Sequence, residues 1–277
     1  MTMTATSSLA MMKMKATMTK VVRSVQPNVG VELAYQRELL KLIRQMHDSV
    51  MYWTKARYRG NEPVIAQDAK TPAVQMRMII SKLRTQWTKR FDKAAKELAQ
   101  YFARDVSERT DAQMKLILKK AGISVKWTMT PAQKDIMSAT VQQNVALIKS
   151  IPQQYLNEVE GAVMRSVQAG RDLATLSKEL QKKYGVSRRR AALIATDQNN
   201  KATSAFQRAR QQELGITEAI WVHSSAGKEP RPTHVAMNGK KYDVSKGMWD
   251  SDEKAYVWPG QLINCRCTSK SVIPGFS

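Results

Sequence analysis

One helical rhythm runs from Val31 to about Gly215 and then stops. In YQRELLKLIRQMHDSVMYWTKARY, the residues Leu39, Leu42, Ile43, Met46, Val50 and Trp53 recur at the spacing of a single helix face. His47 lies in that helix and reads as a surface or boundary histidine, not a ligand. RGNEPVIAQDAK reads as a loop. Thr71-Pro72 and Thr130-Pro131 each place a hydroxyl cap before a proline at the first helical position. The helix from Pro72 is expected to reach about Arg104, with another from Ser107 or Thr110 to Gly122. Ser150 and Pro152, Asp172 and Ser187 read as further starts, and Gly170 and Gly185 as stops.

Beyond Leu214-Gly215 the pattern changes. AIWVHSS, GKKYDVS and CTSKSVI are short, rich in β-branched and aromatic residues, and separated by Gly, Pro and Asn. The expected fold class is α+β, a mostly α-helical elongated body followed by a small β-rich C-terminal module. The expected divisions are a flexible N-terminal arm over 1–30, a helical body over 31–149, a further helical segment over 150–215 and the β-rich module over 216–277.

The net charge of +22 constrains partners. Self-repulsion on that scale is best tolerated beside an anionic partner. Nucleic acid is the first candidate, an anionic membrane the second and an acidic protein the third. No apolar run approaches the roughly 20 residues of a spanning helix, and no membrane is expected among the partners. The densest basic stretch holds Lys182, Lys183, Arg188, Arg189, Arg190, Lys201, Arg208 and Arg210 against one acid, Asp197. It reads either as a solvated face or as a DNA-binding face indifferent to sequence.

The two cysteines, Cys265 and Cys267, exclude a disulfide-stapled scaffold. A disulfide between them would close a strained ring. In an extended segment both thiols point to one side and Arg266 to the other. His223 and His234 lie in the same module. Two imidazoles and two thiolates form the donor set of a tetrahedral structural zinc. His234, Cys265 and Cys267 are the firmer ligands and His223 the fourth. Asp243, Asp250 and Asp252 compete for that fourth place. The alternative is that both thiols simply pack as small hydrophobes.

Catalysis is the other class. A Cys–His nucleophile pair, or a metal-dependent nuclease built on His234 and Asn238, would use the same residues. No carboxylate cluster and no second histidine after Asn238 accompany them, so no enzyme is expected. Phosphate-cradling glycine loops and a two-helix DNA-reading unit are also missing from the pattern.

Three quoted stretches belong together in order: ATDQNNKATSAFQRARQQELGI, then IWVHSSAGKEPRPTHVAMNGKKYDV, then WPGQLINCRCTSKSVI. Their landmarks are Trp221, Arg231, His234, Asn238-Gly239, Pro259-Gly260 and Asn264-Cys265-Arg266-Cys267. This set resembles the phage Mu F-like family of minor head, or head morphogenesis, proteins, over roughly Ser150 to Ile273. Where that family usually has an aspartate four residues before the arginine, this chain has Gly227.

The resemblance implies a minor capsid protein of a tailed bacteriophage, not an enzyme, acting in prohead assembly near the portal. Its implied partners are the portal protein, capsid and scaffold components, and packaged DNA. It would be present in a few copies inside the virion capsid, and in the host cytoplasm during assembly. Trp221, Trp249 and Trp258 are expected as core or interface anchors. Arg231 and Arg266 are expected to hold the module through carboxylates such as Asp250 or Asp252, the alternative being contact with phosphate or an acidic portal surface.

Overall fold

The computed structural model describes residues 19–59, 71–170, 172–225 and 229–274. The chain enters as strand β1 (Thr19–Val21) and continues into four long helices. These are α1 (Val29–Arg59), α2 (Pro72–Lys120), α3 (Pro131–Gln168) and α4 (Leu173–Glu213). Then follow β2 (Glu218–Val222), the short helix α5 (Pro232–Met237), β3 (Lys241–Asp243), β4 (Met248–Asp250), β5 (Ala255–Val257) and β6 (Thr268–Pro274). Helix makes up 68% of the described residues and the strands are antiparallel, so the fold class is α+β as expected. No described helix is long and apolar enough to cross a membrane.

The caps act where the sequence placed them. The Val74 N–H donates to Thr71 Oγ1 at 3.4 Å, and the Gln133 N–H donates to Thr130 Oγ1 at 3.3 Å. The Asp172 carboxylate accepts from the N–H groups of Ala174 and Thr175 at 2.8 and 3.2 Å. Gly122 and Gly170, at φ +91° and +87°, stop α2 and α3.

Three expected breaks do not occur. α2 passes through the Arg104–Thr110 region, α3 passes through Ser150 and Pro152, and α4 passes through Gly185 and Ser187. Packing outweighs local propensity at these points. Ile151, Pro152, Tyr155 and Leu156 are all buried. Ser150 Oγ donates to the Leu147 carbonyl at 2.6 Å and accepts from Arg190 Nη2 at 2.9 Å. Around Gly185, Tyr184 stacks on His47 with ring centroids 4.3 Å apart, while Leu180 and Ala191 are buried. A mid-helix proline costs about 3 kcal/mol and a glycine about 1 kcal/mol. Burial of several neighbouring side chains, each contributing about 1.5–3 kcal/mol, exceeds both.

The chain forms two compact units, and α2, α3 and α4 contribute to each. The helical unit comprises residues 32–102 and 140–195. Its interior holds Leu39, Ile43 and Met46 from α1, Ile80, Trp87 and Phe91 from α2, and Tyr155 and Val159 from α3. Tyr35 stacks on Phe102 at 4.4 Å and its hydroxyl donates to Asn144 Oδ1 at 2.9 Å. His47, expected at a surface or boundary, is buried, with Nδ1 2.7 Å from the Tyr155 hydroxyl.

Among the described residues, the second, sheet-bearing unit comprises 19–31, 103–139 and those from 196 to 274. Its main sheet has the order β1-β6-β2-β3, and β4 pairs with β5 separately. The arm expected over 1–30 is therefore structured from Thr19 onward. Thr19–Val21 pair with Val272–Pro274, and Val22 and Val25 are buried with Met114, Leu118, Ile216 and Ile273. Residues 1–18 and 60–70, the latter expected as a loop, lie outside the described residues.

The C-terminal segment of α4 meets the sheet through polar side chains. Gln207 Nε2 donates to the Ser269 carbonyl at 2.9 Å. Gln211 Nε2 donates to Ser269 Oγ at 3.2 Å and to Ser271 Oγ at 2.9 Å, and Tyr242 donates its hydroxyl to Ser269 Oγ at 2.8 Å.

Candidate metal centre

Four short elements carry the site. β2 brings Trp221 and hands the chain to His223, α5 carries His234, β4 ends at Asp250, and Cys265 and Cys267 precede β6. Pro232 opens α5 at its first position, and Asn238-Gly239 turns the chain back into β3 with Gly239 at φ +78°. Asn238 Oδ1 accepts the His223 N–H at 2.9 Å, tying the two histidine-bearing segments together.

The loop before the cysteines is fastened to α4. Ser204 Oγ donates to the Pro259 carbonyl, and the Asn264 N–H donates to Asp197 Oδ1 at 2.8 Å. Gly260 adopts φ +79°, and a Cβ there would lie 3.1 Å from Ser204 Cβ and 3.2 Å from the Asn200 carbonyl. Asn264 adopts φ +59°, a left-handed conformation that asparagine tolerates better than most residues. The Gly260 N–H points at Cys265 Sγ at 3.3 Å. Arg231 Nη1 donates to the Ile263 carbonyl at 3.1 Å, in place of the carboxylate pairing expected for it. Arg266 is exposed between two buried cysteines, as the extended alternation requires.

Both thiols are free and buried, at 4% and 6% exposure. The ligand atoms of His234, Cys265 and Cys267 all lie within 4.8 Å of one another. His234 Nδ1 is 3.4 Å from Cys265 Sγ and 3.7 Å from Cys267 Sγ, and His223 Nδ1 is 3.6 Å from Cys267 Sγ. Tetrahedral zinc, with bonds of about 2.3 Å to sulfur and 2.0–2.1 Å to nitrogen, places its ligand atoms about 3.6 Å apart. The three distances therefore match the edge lengths of such a tetrahedron. His223 is half-buried and reaches one sulfur at that distance; it stands outside the mutually close trio.

The two sulfurs shift each other in opposite directions. The hydrogen bond with Cys267 pulls the Cys265 thiol down, and its other partners include His234 and the Gly260 N–H. The same bond with Cys265, with burial, pushes Cys267 up. Trp221 is fully buried and packs edge-on against His234, with ring centroids 5.0 Å apart. Two buried thiols, one of them pulled toward the thiolate, beside an imidazole make a soft donor set suited to a soft divalent cation.

Asp250 is fully buried. Its Oδ2 lies 3.2 Å from His234 Nε2, on the far side of the ring from the sulfurs. The sequence offers it as a competitor for the fourth metal ligand, but it lies outside the mutually close trio of His234, Cys265 and Cys267. Burial pushes its carboxyl up, but the N–H groups of Asp252 and Glu253 and the Thr233 hydroxyl hold it below the usual range. Asp243 caps its own turn, accepting from the Ser245 and Lys246 N–H groups at 2.7 and 3.2 Å.

The basic stretch on α4 divides. Arg210 is 2% exposed and is bound to Asp111 at 2.7 Å and Glu213 at 2.6 Å, with its guanidinium 4.6 Å from the Trp127 ring. It is a core residue and cannot meet DNA. Lys201 pairs with Asp197 at 2.8 Å, Arg208 lies over the Trp258 ring at 4.2 Å, Lys183 pairs with Glu158 at 3.5 Å and Arg190 holds Ser150. Lys182, Arg188 and Arg189 are exposed. Trp249, expected as an anchor, is exposed and packs edge-on against Tyr256. Gly227 lies outside the described residues.

Residues 157–270 match the family described as phage Mu protein F like protein. This stretch is Mu F-like. The Mu F-like region contains Trp221, both histidines of the site, Asp250 and both cysteines. An uncharacterized protein of Haemophilus influenzae is 27% identical over 258 residues, which are 91% of this chain and 55% of the relative. The chain thus spans about half the length of that curated relative. No solved structure matches.

Proposed function

We propose that the protein is a non-enzymatic component of a tailed-phage head, acting in head assembly near the portal. The Mu F-like match over residues 157–270 carries this reading. The net charge of +22 supports contact with packaged DNA or another anionic surface. The partners we propose are the portal protein, capsid and scaffold components, and DNA bound without regard to sequence. The location is the capsid interior.

The C-terminal module is held by a structural zinc on His234, Cys265 and Cys267, with His223 as the fourth ligand. The tetrahedral edge lengths and the soft donor set support this. A catalytic metal would keep an open coordination position. The burial of His234 and both sulfurs, with His223 Nδ1 3.6 Å from Cys267 Sγ as the nearest further donor, favours a closed, structural site.

Quantitative mass spectrometry of purified proheads and virions tests the assembly role. A low, fixed copy number in either particle is expected, with aberrant heads when the gene is deleted. Absence from both particles, with normal heads after deletion, overturns it. Elemental analysis of protein purified without chelator or metal resin tests the zinc. About one zinc per chain is expected.

A further inference from the structure

We infer that Asp250 is the positioning residue of the metal centre, holding the Nε2–H of His234 so that the Nδ1 lone pair faces Cys265 and Cys267. This rests on the proposed zinc site and names the residue that prepares it. Asp250 is the one acid among the fully buried polar side chains described. A carboxylate in that position must be compensated by donors. Oδ1 accepts from the N–H groups of Asp252 and Glu253 at 3.0 and 3.4 Å, and Oδ2 accepts from Thr233 Oγ1 at 3.1 Å.

The remaining neighbour of Oδ2 is His234 Nε2 at 3.2 Å. Two lone pairs facing each other at that distance would repel, so the proton of the neutral ring sits on Nε2. The approach is short but bent, and Nε2 has no aligned partner among the described residues. The opposite nitrogen is then an acceptor, 3.4 and 3.7 Å from the two sulfurs. Metal-bound histidines commonly give their other N–H to a carboxylate, which fixes the tautomer and raises ligand basicity.

The same three groups also read as nucleophile, base and orienting acid. The 4% exposure of Cys265 leaves a substrate no approach, which favours the metal over that chemistry.

The test is Asp250→Asn in the full chain. The asparagine carbonyl can keep the two backbone N–H bonds, while its amide replaces Oδ2 and donates to Nε2. The ring proton then moves to Nδ1 and faces the sulfurs. Long-range 1H–15N spectra of the histidine rings read the tautomer in metal-free protein. Zinc affinity is read by competition with a chromophoric chelator, and cobalt substitution reports the ligand field. Expected are an Nε2–H tautomer in wild type, an Nδ1–H tautomer in the variant, and a 10–100-fold loss of zinc affinity with an altered cobalt spectrum. An Nδ1–H tautomer in the wild type overturns the inference without any variant. Wild-type zinc affinity in a folded Asp250→Asn protein overturns it too. Wild-type protein that takes up no zinc overturns the metal reading beneath it, whereas the tautomer in metal-free protein separately decides for or against Asp250.

Discussion

The Asn264 N–H donates to the Asp197 carboxylate at 2.8 Å, joining the cysteine loop to the middle of α4. Asp197 is also paired with Lys201 at 2.8 Å, so one acid fixes both a helix neighbour and the loop. Asp197→Ala leaves that N–H without its charged acceptor, a loss of about 1.5–3 kcal/mol for a hydrogen bond to a charged group. The loop from Trp258 to Asn264 should loosen first. Limited proteolysis and hydrogen exchange check this, with protection reduced there while the helical unit is unchanged. Unaltered protection of the loop would show that the Ser204 hydrogen bond and Gly260 suffice.

Zinc removal should destabilise the sheet-bearing unit. Anything bound only to the folded state adds RT ln(1 + [L]/Kd), about 2.7 kcal/mol at a hundredfold excess over Kd. Chelation, Cys267→Ser or His234→Ala should each remove that increment, seen as a lower melting temperature in zinc-containing buffer. Wild type and variants should converge in chelator. His223→Ala should lose less, because His223 meets a single sulfur at ligand spacing. Equal stability of all four proteins with and without zinc would mean that the thiols only pack.

Arginine on α4 should have two opposite phenotypes. Arg210→Ala breaks a buried ion-pair network with Asp111 and Glu213 and should cost about 3 kcal/mol. Lys182→Ala, Arg188→Ala and Arg189→Ala remove exposed charge and should leave stability within about 0.5 kcal/mol. If this face meets DNA, the exposed set should lower affinity for unrelated duplexes. The slope of log affinity against log salt should also flatten, by about one for each phosphate no longer neutralised. Anisotropy titrations at several salt concentrations measure both. A triple variant that binds like wild type removes α4 from the DNA reading.

Much of this architecture was legible because it rests on local chemistry. Thr71, Thr130 and Asp172 cap helices with their own side chains, and Gly122 and Gly170 supply the left-handed stops. Pro152 and Gly185 misled for the converse reason. Their local cost is offset by burial of residues distant in sequence, such as Tyr184 against His47. The His234, Cys265 and Cys267 cluster was legible because histidine and cysteine are scarce and lie close together in one module. Asp250 was not. Asp243, Asp250 and Asp252 look alike in sequence, and only the antiparallel β4–β5 pairing and the placement of α5 bring one of them to Nε2. Asp197 was visible as the lone acid in a basic stretch, but its partner on Asn264 is a backbone group and leaves no sequence signal.

His47 gives the helical unit a pH dependence. Burial lowers its pKa below the usual 6.5, with Lys55 acting in the same direction and Asp48 opposing. The Tyr155 phenol, itself pushed up by burial, stays protonated and can donate to Nδ1. Nε2 has no partner among the described residues, so a proton that charges the ring meets no compensating acid there. In the unfolded chain the same histidine takes up a proton near pH 6.5. Between that value and the lower folded pKa the unfolded state binds more protons, so stability rises with pH. The contribution is fully present above about 6.5 and is lost as pH falls through the folded value, by up to about 1.4 kcal/mol per pH unit. His47→Phe keeps a ring against Tyr184 but leaves the Tyr155 hydroxyl without its acceptor. It should cost about 1–3 kcal/mol at pH 7.5. That deficit should shrink toward pH 5, because only wild type carries the protonation penalty. Urea unfolding followed by circular dichroism at pH 7.5, 6.5 and 5.5 measures the gap directly. A gap that stays constant over this range would mean that His47 keeps an ordinary pKa in the folded protein.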